Sequence, residues 1–153
     1  MSDPFLTIQR QVQLLTDTLE RLRKSDIGTV AGTYTPTYQG GTTAGVTTYT
    51  TQQGAWTRVG NTVIVTGTVV WATATGTGDA QIVLPFTAAN VANQNFAISI
   101  RTTAVTFASG TPQGQIAANT NYFTMQSPLT NAASTAVAVE AAGNVIFTAI
   151  YFI

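Results

Sequence analysis

Phe5, Ile8, Val12, Leu15, Leu19 and Leu22 recur at spacings of 3, 4, 3, 4 and 3 residues, an a/d seam held for nearly three heptads. On a strand these residues would scatter over both faces, so the spacing demands an α-helix. Ser2 or Asp3 can cap it, Pro4 suits the first turn, and Arg21, Arg23 and Lys24 fall in the last turn, where the helix dipole favours cations. Asp17 with Arg21 and Glu20 with Lys24 make i,i+4 pairs. The expected helix therefore runs from about residue 4 to 24. Left alone it would fray, since each ordered backbone residue costs about 1–2 kcal/mol and helical hydrogen bonds offset only part of that. The seam needs a partner: the chain's own body, identical helices in a short bundle, or a larger assembly.

The character of the chain changes abruptly after this segment. Of twelve charged residues, eight lie within residues 1–26, leaving Arg58, Asp79, Arg101 and Glu140 for all that follows. The net charge is zero, so no field exists to draw in phosphate backbones or anionic lipid, and neither nucleic acid nor a membrane is expected as a partner. Asp3 and the polar residues from Gln9 to Gln13 do not make a signal peptide, and no apolar run reaches the roughly 18 residues a spanning helix needs.

Twenty-seven of the thirty threonines lie after residue 26, mixed with Val, Ile, Tyr, Phe, Gly and Asn in short runs that read as strands. Residues 27–53 have the composition of an extended arm or edge strands, punctuated by Pro36 and Gly40-Gly41. Residues 54–153 read as the body of a β sandwich. Gly60-Asn61 is a hairpin signal between "AWTRV" and "TVIVTGTVVW", and Val63, Val65, Val69 and Trp71 alternate onto one face. Gly67 interrupts that alternation and predicts a bulge or a tight contact. Further strands are expected in "AQIVLPF", "NFAISIRTT", "GQIAANTNYFTM", "STAVAVEA" and the terminal "NVIFTAIYFI". About eight strands with turn signals every 8–15 residues predict a mainly β chain, a jelly-roll-like sandwich preceded by one short N-terminal helix.

The residue inventory excludes most catalytic chemistry. With no Cys and no His there is no thiolate, no imidazole acid or base and no Cys/His metal site. The only Lys, Lys24, lies on the helix, so no serine of the body has a base. Asp79 and Glu140 are the body's only carboxylates, and a glycosidase would need them roughly 5–9.5 Å apart in a cleft. Their contexts, "GTGDA" and "EAAGN", read instead as ordinary turns. Tyr122 and Asn residues in "NTNYFTM" could offer a sugar a stacking and hydrogen-bonding surface, but Tyr122 and Phe123 fit better as alternating outward and inward strand residues. No catalytic, cofactor-binding or metal-binding residue is predicted.

"GTYTPTYQGGTTAGVTTYTTQQGAWTRVGNTVIVTGTVVW" followed by "GTGDAQIVLPF" resembles a pattern that recurs in tailed-bacteriophage fibre and capsid-decoration (cement) proteins. The resemblance covers residues 32–87; its specific parts are the R-V-G-N hairpin and the closing L-P-F, whereas residues 88–153 match in composition only. It implies a non-enzymatic virion protein exposed on the particle, commonly a homotrimer, with no catalytic residues to carry over. Its partners would be its own copies, with Phe5, Ile8, Val12, Leu15, Leu19 and Leu22 as the oligomerisation or anchoring line, and the major capsid protein or another virion protein. The chain's size favours a capsid cement protein stabilising the head, with a fibre tip recognising a host-surface glycan as the alternative.

Overall fold

The computed structural model describes residues 4–25, 28–108, 110–129 and 131–153, and only the backbone of 22–25. One helix, α1 (Pro4–Ser25), leads into ten strands: β1 (Thr29–Tyr34), β2 (Tyr38–Gly40), β3 (Thr47–Val59), β4 (Thr62–Ala74), β5 (Ala80–Val83), β6 (Asn95–Arg101), β7 (Gln113–Ala117), β8 (Tyr122–Leu129), β9 (Ala132–Ala136) and β10 (Gly143–Phe152). The helix matches the seam's span, and its cap residues lie outside the described residues. Within it, Thr16 and Thr18 donate their hydroxyls to the carbonyls of Val12 and Leu14, which satisfies both polar groups locally.

The strands form one antiparallel sheet in the order β1-β3-β4-β10-β6-β7-β8-β5-β2, with β9 added to β8. The sheet rolls over on itself. Tyr38 on β2, at one end of the path, stacks against Trp71 on β4, and Phe123 on β8 meets Phe147 on β10 edge-on at 4.9 Å. Polar contacts finish the closure: Tyr49 Oη both accepts from the Tyr38 amide and donates to its carbonyl, and Gln52 Nε2 donates to the Pro36 carbonyl at 2.9 Å. The result is the expected jelly-roll-like, two-layered β body. Its core holds Val63, Val65, Val69 and Trp71 from β4, Val145, Phe147 and Tyr151 from β10, and Ile82, Ile116, Phe123 and Met125 from the facing layer.

Local sequence explains most of the elements. Gly60 turns the β3–β4 hairpin with φ of 59°, and Asn61 stays out of the left-handed region, as a type II′ loop requires. The strand expected over "GQIAANTNYFTM" is instead two, β7 and β8, because the chain reverses between them at Asn119, which adopts φ of 60°. Asn tolerates this conformation better than most residues.

Gly67 makes a tight contact rather than a bulge; the β3–β4 irregularity lies at Thr48–Thr51. A methyl group at Gly67 would sit 2.5 Å from Phe147 Cζ, on the residue directly opposite in the β4–β10 register. The same device recurs: Trp56 lies over Gly32, Tyr34 over Gly54 and Trp71 over Gly143, each ring covering its cross-strand glycine. A bare glycine weakens a strand, and a facing ring restores the missing packing while keeping the backbone free to bend.

Candidate interaction surfaces

The six seam residues are the predicted contact line, and five have described side chains. Phe5, Ile8, Val12, Leu15 and Leu19 are 57–69% exposed, as are Leu6 and Leu14 off the seam. The side chain of Leu22 lies outside the described residues. Because every described side chain of α1 is exposed, the helix does not cover its own β body. Leu14, Leu15, Thr18 and Leu19 line a shallow apolar groove on it. Leu6 and Leu14 fall at heptad positions b and c, outside the a/d stripe, so they are exposed apolar residues beyond the contact line.

A second surface is the outer face of β1-β3-β4-β10. On β10, Val145, Phe147, Ala149 and Tyr151 point into the core, while Ile146, Ile150 and Phe152 point outward and are 43–55% exposed. Ile150 stands directly opposite Ile64 of β4, itself exposed. At the centre a groove of about 340 Å³ runs over Gly54 and Gly67, bordered by Gln53, Thr66, Thr68 and Thr148. The two paired glycines give the groove a floor of bare backbone, since the positions their side chains would take face Tyr34 and Phe147 on the inner side of the sheet.

The third surface lies at the end of the sandwich next to the start of β1. Trp56 meets Phe86 edge-on, with ring centroids 4.8 Å apart at 89°. Gly28, Val30, Arg58 and Gly60 complete a groove of about 290 Å³. Arg58 donates through Nε to the Gly60 carbonyl at 2.6 Å, so its guanidinium braces the hairpin turn. The R-V-G-N hairpin and the L-P-F segment, far apart in sequence, therefore meet at one place. Their visible role is to fasten the hairpin to the loop after β5, where the chain arrives from α1.

The two acidic residues of the body are tied into the fold through their backbones. Asp79 bridges to Ala138 next to the left-handed Gly78. Glu140 is held by its backbone: its amide donates to Tyr38 Oη at 2.8 Å and its carbonyl accepts from Trp71 Nε1 at 3.0 Å. Neither lines any of the three grooves. Phe123 is fully buried and Tyr122 only partly, the alternating arrangement that strand geometry favours over a sugar platform. Among the described residues no group of three or more His, Cys, Asp or Glu could hold a metal, and no helix is long and apolar enough to cross a membrane.

The tyrosines register how dry the core is. Burial pushes the Tyr151 phenol from its ordinary 10.0 up to about 12. Tyr38 is raised chiefly by burial, against the lowering effect of the Glu140 amide. Tyr34 is raised furthest, by burial and then by its proximity to Tyr151. Its hydroxyl is buried with no hydrogen-bond partner among the described residues.

The molecule is thus a rolled antiparallel β body led by an exposed heptad helix. No family model matches the sequence, and no curated protein matches it significantly. Among solved structures it is similar to the Dettilon tailspike protein, with a TM-score of 0.61 and 17% identity. The similarity covers 81% of this chain and 24% of that one, so the chain spans about a quarter of the tailspike's length. The two share a fold.

Proposed function

We propose that this chain is a non-enzymatic structural protein of a bacteriophage virion, of the fibre or tailspike kind, that self-associates as a homotrimer through α1 and presents its β body to a host-surface glycan. The observation that carries the reading is the fold shared with a tailspike, which agrees with the fibre-type pattern of residues 32–87. The exposed seam supports self-association, because an a/d stripe of this length is withdrawn from solvent when identical helices pack seam to seam. Binding rather than turnover fits a body whose Asp79 and Glu140 line none of the three grooves described. Immunogold labelling of intact particles tests the placement: gold at the tail or fibre tips is expected.

Capsid decoration is the second reading, favoured by the same exposed helix, which would suit insertion into the major capsid protein as well as a bundle. Gold distributed over the head, with loss of head stability when the protein is stripped, would replace the first reading with this one.

A further inference from the structure

We infer that the outer face of β1-β3-β4-β10 is a second interface between copies of this chain, buried against the β body of a neighbouring copy. The inference rests on the self-association proposed for α1 and names a surface which that proposal leaves unassigned.

The first argument is the sequence of β10. A strand with one wet face alternates apolar and polar residues, whereas a strand covered on both faces reads as a nearly continuous apolar run. "NVIFTAIYF" is of the second type. Its inward residues fill the core, yet Ile146, Ile150 and Phe152 face outward and stay 43–55% exposed, with Phe152 meeting the Phe96 ring edge-on at 5.8 Å.

The second argument is charge. No outward residue of the four strands is charged: the rows across the sheet read Thr29-Val59-Thr62-Phe152, Ala31-Thr57-Ile64-Ile150 and Thr33-Ala55-Thr66-Thr148. A neutral face of small hydroxyls and aliphatic groups can be covered by a neighbouring copy's β body without desolvating any charge of its own. Strands about 4.8 Å apart and about 3.3 Å per residue, over the ten-residue β4–β10 register and the shorter β1, give roughly 500–600 Å² of flat face. Side-chain relief brings this close to the roughly 800 Å² per partner of a standard interface.

The third argument is position. The most apolar rows lie at the end of the sheet where β1 begins, and only residues 26–28 separate β1 from α1. That tether spans at most about 14 Å. Helices joined along their seams would hold the Ile64, Ile150 and Phe152 patches of different copies within reach of one another, so the second contact forms at high effective concentration.

The test uses the full chain in two double variants, Ile64→Glu/Ile150→Glu on the face and Leu15→Glu/Leu19→Glu on the seam, followed by sedimentation over a dilution series. The expected result is self-association at least tenfold weaker in each. If the face variant assembles like the wild type while the seam variant dissociates, the face inference is overturned and the helix reading stands. If only the face variant dissociates, the helix reading fails and the face interface is kept. If neither dissociates, both are wrong. A second measurement guards against misfolding. The chain has no cysteine, so Ile150→Cys introduces a single reporter, which should react with a thiol reagent at least tenfold more slowly in the assembled protein than after dilution. A Thr135→Cys control on β9 should react at one rate in both conditions. Equal rates for both reporters would overturn the inference independently.

Discussion

Tyr38 and Trp71 stack with ring centroids 4.0 Å apart and planes 18° from parallel, although β2 and β4 are separated by five other strands along the sheet. The pair is the clasp that converts one long sheet into a two-layered body. Glu140 locks it from the side, donating its amide to Tyr38 Oη and accepting from Trp71 Nε1.

Tyr38→Phe keeps the stack but strands the Glu140 amide in a partly buried site. An unsatisfied donor of this kind costs about 1–3 kcal/mol. The urea midpoint should therefore fall, with an unchanged slope because the same surface is exposed on unfolding. An unaltered midpoint would mean that solvent already satisfies that amide.

Gly67→Ala should destabilise by about 1–3 kcal/mol, the usual cost of forcing an extra methyl group into a packed site. The clash is with Phe147, so the loss should shrink in the Gly67→Ala/Phe147→Leu background. A double-mutant cycle with no coupling would show that the ring moves aside freely.

What the sequence revealed followed the range of the contact. The α1 seam and the Gly60 hairpin are local patterns, complete within a few residues, and both were legible. The Tyr38–Trp71 clasp and the ring-over-glycine pairs depend on register between distant strands, which composition does not encode. Gly67 announced that something was tight without saying that Phe147 was the cause. The meeting of Arg58 with Phe86 needed the rolled sheet. The outer face did leave a trace: residues of both parities in "NVIFTAIYFI" are apolar, but the run reads first as one strong core strand, and its second face shows only once the inward set is known.

Tyr34 and Tyr151 should respond oppositely to loss of the hydroxyl. Tyr34 Oη has no partner among the described residues, whereas Tyr151 Oη donates to the Phe86 carbonyl at 3.1 Å. Tyr34→Phe should be neutral or stabilising by up to about 1 kcal/mol, while Tyr151→Phe should lose about 1 kcal/mol. Thermal melts of the two variants beside the wild type decide it; equal losses would mean that Tyr34 has a partner in solution.

Stability should hold steady up to pH 10.0 and then fall. Burial raises the Tyr151 phenol to about 12 and raises Tyr34 and Tyr38 as well. A group whose folded value exceeds its unfolded one contributes stability that is fully present below the unfolded value and is lost as pH climbs through the folded one. For Tyr151 the window is pH 10.0 to about 12. Urea midpoints across this window should fall less steeply in Tyr151→Phe than in the wild type, and parallel slopes would refute the assignment.

Removing residues Phe147–Ile153 tests whether β10 is structural rather than a trailing edge. The strand lies between β4 and β6 and pairs with both, so deletion leaves two long unpaired edges facing each other across a gap. It also takes Phe147, Ala149 and Tyr151 from the core, each large side chain worth about 1.5–3 kcal/mol of burial. Losses of that size approach the whole stability of an ordinary domain, about 5–15 kcal/mol, and exposed strand edges recruit other chains. The truncated protein should be insoluble at a concentration where the full chain is soluble. A soluble product with a cooperative melt would show that β4 and β6 can pair without the strand between them.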